Sequence, residues 1–313
     1  MAEASGDRTA GAPVAVYDSG FGGLSVLLAL RARLPALSYL YVADSGHAPY
    51  GDRDPQPVRE RALAVAAAVF AQGARALVVA CNTASVLAAA QMRQRHAQPI
   101  VAMEPAIKPA VRLTRSGVVL VLATRSTVHS EAVAALCRAH GAGVRILLQA
   151  CPGLVEQVER GACDDAETRA LLERHLAPGL AAGADTIVLG CTHYAFLAPA
   201  IRRLAGPGVT LVEPSPAVAA QLARRLGIAA AEGRGRLEFH SSGDAAALRA
   251  FLAGHDLLGA ATGPAGLAAP GAAPGAAGSA TPLGDLGFVR LAGAGDRLQG
   301  SAGDRGPDPA PTR

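Results

Sequence analysis

The chain has no tryptophan, only 4% of its residues are aromatic, and among 313 residues lysine occurs once, at Lys108. Each scarcity excludes something. With so few rings, a packed interior has to be built on Val, Leu, Ile and Ala, which a 50% apolar fraction supplies in quantity. A pyridoxal enzyme forms its Schiff base on lysine. Here that would have to be Lys108, between Ile107 and Pro109 in a plain helical segment, which argues against the class. Five cysteines (Cys81, Cys137, Cys151, Cys163, Cys191) contain no Cys-x-x-Cys and lack the dense spacing of a disulfide framework, so free thiols in a reducing compartment are expected. The histidines are scattered and Cys191-Thr192-His193 has no further ligands nearby in sequence, so no metal is expected. No apolar stretch approaches the roughly 20 residues of a membrane span, and Met1 to Pro13 lacks the basic and apolar regions of a secretory signal. The expected location is the cytoplasm. The net charge of +4 comes from arginines spread along amphipathic segments without a zinc-finger, RNP-like or basic-helix motif, so neither a nucleic-acid nor a membrane partner is expected.

What is present is a repetition. Gly73-Ala74-Arg75-Ala76-Leu77-Val78-Val79-Ala80-Cys81 returns 110 residues later as Gly183-Ala184-Asp185-Thr186-Ile187-Val188-Leu189-Gly190-Cys191. Each apolar run is short, β-branched and glycine-bounded, which reads as a buried strand. Asn82-Thr83-Ala84-Ser85 and Thr192-His193-Tyr194 follow, small polar residues suited to a helix start. Each cysteine therefore sits at a strand-to-helix turn, where open parallel α/β sheets bind ligands. A free cysteine titrates near ~8.5, and helix starts draw that toward ~7, so Cys81 and Cys191 are the expected reactive thiols. Cys137 and Cys163 lie within or near helical segments, and Cys151 is followed by Pro152 and Gly153, which give it no polar partner. Two thiols presented alike suit a chemistry that needs two similar groups across one substrate, such as racemisation.

Further runs at Val14–Asp18, Tyr39–Ala43, Ile100–Met103, Val118–Leu122, Arg145–Leu148 and Thr210–Val212 alternate with helical stretches, which predicts α/β architecture with largely parallel sheets. The repeat suggests two related halves. Asp18 ends the first strand and should point into the same crevice, where the amides of the Gly20, Gly22 and Gly23 turn could cradle a carboxylate. That turn is neither a Walker loop nor a full Gly-x-Gly-x-x-Gly, so nucleotide binding is unsupported. His193, two residues beyond Cys191, is placed to move a proton or orient a substrate. A Cys–His amidohydrolase with Cys191 as nucleophile remains open at this point, although it leaves Cys81 without a role. From Gly259 to Arg313 glycine, alanine and proline dominate. That segment is expected to be mostly disordered, with Phe288 to Leu291 the one candidate docking patch.

Asp18-Ser19-Gly20-Phe21-Gly22-Gly23, His47-Ala48-Pro49-Tyr50-Gly51, Ala80-Cys81-Asn82-Thr83-Ala84-Ser85 and Gly190-Cys191-Thr192-His193-Tyr194 occur in this order, and with them the chain closely resembles the bacterial glutamate racemases from about Val14 to Leu258. Aspartate and hydantoin racemases share the two-cysteine plan and are the related alternatives. The resemblance implies cofactor-independent interconversion of L- and D-glutamate, supplying D-glutamate for peptidoglycan. Cys81 and Cys191 would stand on opposite faces of the substrate α-carbon, with Asp18 assisting Cys81 and His193 assisting Cys191. It places Ser19, Tyr50, Gly51, Asn82, Thr83 and Thr192 around the substrate, and Glu156 at a further acidic position of some members. It also implies two pseudo-symmetric α/β domains, residues 13–103 plus 214–258 and residues 104–213, with the active site at their interface. Residues 1–12 and 259–313 would be tails. A homodimer is one assembly compatible with the resemblance.

Overall fold

The computed structural model describes residues 11–229, 232–255 and 281–291. The first lobe begins with β1 (Val14–Asp18), α1 (Leu24–Arg33), β2 (Tyr39–Ala43), α2 (Pro55–Ala71), β3 (Ala76–Val79), α3 (Asn82–Arg95) and β4 (Ile100–Ala102). Every residue of β1, β2 and β3 is buried, as an inner strand covered by helices on both faces requires. The second lobe follows with α4 (Ile107–Leu113), β5 (Val118–Ala123), α5 (Arg125–Val128), α6 (Glu131–His140), β6 (Arg145–Ala150), α7 (Leu154–Glu159), α8 (Ala166–Ala181), β7 (Thr186–Gly190), α9 (Ala198–Ala205) and β8 (Thr210–Val212). The chain then returns to the first lobe with α10 (Ser215–Leu226), β9 (Leu237–Ser241), α11 (Ala245–Gly254) and β10 (Val289–Arg290).

The strands form two sheets, ordered β10-β9-β2-β1-β3-β4 and β6-β5-β7-β8. All neighbours are parallel except β10 on β9. The order β2-β1-β3-β4 recurs as β6-β5-β7-β8, so the sequence repeat is the visible part of a repeated four-strand unit. Register makes the equivalence residue-specific. Val14 pairs with Ala76 and Val119 with Thr186. Counting onward from these pairs, Ser19 is equivalent to Thr124 and Cys81 to Cys191. Both cysteines thus leave the carboxyl edge of a central strand, the ligand-binding edge of an open parallel sheet.

At the carboxyl terminus the expected docking patch at Phe288 to Leu291 is present, and it is longer than expected: Thr281–Leu291 is docked on the first lobe. Leu283 and Phe288 are buried in one cluster with Tyr17, Tyr50 and Val58. Beside them β10 pairs with β9 (Val289 with Ser241, Arg290 with His240), and the Leu291 amide donates to Phe239 O at 2.9 Å. A few large apolar side chains closely spaced on a turn suffice to offset ordering entropy, and averaging over a Gly/Ala/Pro-rich stretch conceals them. The other residues of the two expected tails, apart from Gly11 and Ala12, fall outside the described residues. Among the described residues no helix is long and apolar enough to cross a membrane, and no group of three or more His, Cys, Asp or Glu gathers as metal ligands would.

Candidate active site

A cleft where the two lobes meet is lined by Ser19, Pro49, Tyr50, Gly51, Cys81, Asn82, Thr83, Thr124, Val155, Cys191, Thr192 and His193. Both repeated cysteines are in it. Cys81 caps the start of α3, where the Ala84 amide donates to its sulfur at 3.5 Å, and Ser19 Oγ lies 3.4 Å from the same atom. That capping bond favours the thiolate, as a helix start should, but it is outweighed. Burial and the nearby Asp18 carboxylate push the Cys81 thiol up to about 12. The expectation that the helix start draws Cys81 below its ordinary value is therefore corrected: removing the sulfur from water costs the anion more than the first turn's dipole returns.

Asp18 is completely buried behind this wall. Its Oδ1 accepts from the Gly20 amide at 2.9 Å and its Oδ2 from Thr192 Oγ1 at 3.1 Å, so it ties the first lobe to the turn carrying Cys191. Burial raises the Asp18 carboxyl above its ordinary value against the pull of His193 and these two donors. Its influence on Cys81 is electrostatic, while the side-chain polar atom in contact with that sulfur belongs to Ser19.

Cys191 leaves β7 differently from its counterpart. It precedes a short 3₁₀ turn, Thr192–Ala195, rather than the α-helix expected there, and makes no capping bond. Its polar neighbour is His193, whose Nδ1 lies 3.8 Å from Sγ. On the other edge of that ring, Nε2 is 2.6 Å from Glu159 Oε1. Burial disfavours charge on His193, but the hydrogen bonds to Cys191 and Glu159 outweigh it and raise the imidazole well above its ordinary value. Nε2 then carries a proton and donates to Glu159. The Gly22 amide, 3.2 Å from the same nitrogen, can donate to it only in the neutral ring, so the two contacts alternate with protonation.

The glycine turn does not cradle a free anion as expected. Gly20 N–H serves Asp18, Phe21 N–H donates to Glu159 Oε1 at 2.7 Å, and Gly22 N–H faces His193. Two of these amides hold the protein's own carboxylates, and the third faces its imidazole. The absence of side chains is what lets the lobes approach: a Cβ on Gly20 would stand 2.1 Å from Glu159 Oε1, and one on Gly22 would stand 2.4 Å from His193 Nδ1.

Around the thiols lie groups suited to a small zwitterion. Asn82 Nδ2 is used by the Met103 sulfur at 3.1 Å, while its Oδ1 is buried without a partner, an acceptor available to a cationic donor. Thr83, Thr124 and Thr127 share hydroxyl contacts, with Thr83 Oγ1 2.9 Å from Thr124 Oγ1 and Thr124 Oγ1 2.9 Å from Thr127 Oγ1. Gly51 fits against Thr124, and its carbonyl accepts from Ser126 Oγ at 2.7 Å. Glu156 is elsewhere. It borders a second small cavity, with Asp52, Thr124, Arg125 and Cys151, at the edge of the cleft.

Residues 25–222 match the family model described as Asp/Glu/Hydantoin racemase. The chain is 50% identical over 245 residues to the glutamate racemase of Ectopseudomonas mendocina, an alignment covering 77% of this chain and 93% of that protein. The chain belongs to that racemase family. A second relative, the glutamate racemase of Methylococcus capsulatus, is 51% identical over 68% of this chain and 79% of its own length. Among solved structures, a Bacillus anthracis glutamate racemase isoform superposes with a TM-score of 0.73 at 27% identity, covering 79% of this chain and 94% of that one. The Escherichia coli glutamate racemase, in complex with L-glutamate and activator UDP-MurNAc-Ala, superposes with a TM-score of 0.69 at 32% identity, covering 79% and 95%.

Within this racemase fold, Cys81, Cys191, Ser19, Tyr50, Gly51, Asn82, Thr83, Thr192 and His193 line one cleft, and Asp18 lies directly behind it. Sequence reasoning missed Glu159 and Thr124. Glu159, not Glu156, meets His193. Thr124 had a usable signal: it follows an apolar strand, at the position equivalent to Ser19.

Proposed function

We propose that the protein interconverts L- and D-glutamate without a cofactor by a two-thiol mechanism, supplying D-glutamate for peptidoglycan. The observation that carries this reading is the placement of Cys81 and Cys191, equivalent in register in two related sheets, on one cleft. One sulfur, as thiolate, takes the α-proton while the other, as thiol, delivers a proton to the opposite face. The enantiomer bound decides which does which. With its thiol pushed up to about 12, Cys81 suits the proton-donating role, and for the enantiomer that needs it as base it has first to lose that proton. His193, held as imidazolium by Glu159, is placed to pass a proton to or from the Cys191 sulfur through Nδ1. The unpaired Asn82 Oδ1 suits the substrate ammonium, and the threonine hydroxyls and Ser19 suit its carboxylates. Each sheet is the core of one domain, residues 13–103 plus 214–258 and residues 104–213, with 281–291 added to the first. Five free thiols suit the reducing cytoplasm, and assembly as a homodimer is checked by sedimentation.

Chiral chromatography of L-glutamate incubated with metal-free, pyridoxal-free protein tests the substrate. D-glutamate should accumulate to equal amounts of the two enantiomers. Racemisation of aspartate in its place would keep the two-thiol chemistry and move the specificity; release of ammonia from an amide substrate such as glutamine, with no racemisation, would support hydrolysis instead.

A further inference from the structure

The docked segment Thr281–Leu291 reaches the substrate cleft through two intermediaries. Its Leu286 carbonyl accepts from Arg61 Nη2 at 2.8 Å, and the ring of its buried Phe288 carries the Arg61 guanidinium 5.0 Å from the centroid. Arg61, on α2, forks onto the Asp44 carboxylate, with Nε 2.9 Å from Oδ2 and Nη2 2.7 Å from Oδ1. Asp44 is fully buried and also accepts from the Tyr50 hydroxyl and from Ser242 Oγ, the latter at 2.6 Å. Tyr50 opens the turn whose residues Tyr50 and Gly51 form one wall of the cleft. Burial works against the Asp44 anion, but the hydrogen bonds from Arg61, Ser242 and Tyr50 hold its carboxyl below the ordinary range. A buried carboxylate stripped of its arginine depends on its remaining partners, Ser242, His47 with Nδ1 3.1 Å from Oδ1, and the tyrosine that shapes the cleft, and draws that tyrosine out of place. The segment also reaches Asp44 by a second route, since β10 pairs with β9, and Ser242, next after β9, donates to that carboxylate.

We propose that Thr281–Leu291 is a strap that clamps Arg61 into its fork with Asp44, making Arg61 a positioning residue for the Tyr50–Gly51 wall of the substrate cleft. The proposal rests on the glutamate reading. Arg61 touches no part of the cleft itself; it acts through Asp44 and Tyr50. Phe288 on one face and the Leu286 carbonyl at the tip leave the guanidinium one orientation, the one that meets both carboxylate oxygens.

The test compares the full chain with a chain ending at Leu291, a chain ending at Ala280, Phe288→Ala, Arg61→Ala and Arg61→Lys. For each, KM and kcat are measured on both glutamate enantiomers, along with the melting temperature. The chain ending at Leu291 should keep the full chain's KM. The chain ending at Ala280, Phe288→Ala and Arg61→Ala should each raise KM about tenfold with a smaller change in kcat, and Arg61→Lys, which keeps the charge but not the fork, should fall between. A segment that merely stabilises the fold would lower the melting temperature and the active fraction, hence kcat, at constant KM, and that result overturns the proposal. If the shorter chain does not fold, Phe288→Ala and Arg61→Lys decide the question, and unchanged KM in both overturns it. Glutamate turnover by the full chain with no KM effect in the variants fails the strap alone; no turnover by the full chain fails the substrate reading and the strap's role with it.

Discussion

Glu159 governs the charge state of His193, because its carboxylate and the Cys191 sulfur are the two groups that overcome the ring's burial. A histidine whose folded value is raised adds stability fully present below its unfolded value, near ~6.5, and lost as pH rises through the folded value. Glu159→Gln removes one raising group, so the folded value falls and both losses come at lower pH. The alkaline limb of kcat/KM and the alkaline decline of the melting temperature should shift down together; an alkaline limb that stays in place would show that His193 does not carry the proton. At this scale the sequence was half legible. His193 stood beside a repeated cysteine and drew notice. Glu156 and Glu159 lie three residues apart on α7, on nearly the same helical face, and no spacing rule tells which reaches the ring. The Cys81 thiol was misjudged for a related reason: a helix start is visible in sequence, whereas burial in a core shared with Tyr17, Tyr50 and Ala84 is not.

Elements bring these residues together through close backbone approach. Gly22 sits where the turn before α1 meets the turn after β7, and a Cβ there would lie 2.4 Å from His193 Nδ1 and 2.5 Å from Thr192 Oγ1. Gly22→Ala should therefore cost about 1–3 kcal/mol in stability and lower kcat by roughly 10²-fold through displacement of the ring. Chemical denaturation and steady-state kinetics on one preparation check both, and wild-type kcat would contradict the close packing. Strand β3 and strand β7 were readable because each is a short β-branched run between a glycine and a polar cap. The docked segment was harder to read. Its burial comes from Leu283 and Phe288, closely spaced on a turn without helical or strand periodicity.

For the whole molecule, two copies of one four-strand order bring equivalent positions, Cys81 and Cys191, to one cleft. The proposed reaction uses that pair with one sulfur on each face of the α-carbon, and the pseudo-symmetry behind it was legible in the 110-residue repeat. Which residues join the lobes was not, since Asp18 to Thr192, Phe21 to Glu159 and Thr83 to Thr124 are contacts between distant parts of the chain. Proton NMR of each glutamate enantiomer in deuterated buffer, with the wild type and with Cys81→Ser and Cys191→Ser, tests the two-sulfur account most directly. The wild type should replace the α-proton with deuterium as the opposite enantiomer forms, and each variant should racemise ~10²–10⁴-fold more slowly. Racemisation at the wild-type rate in either variant would contradict it.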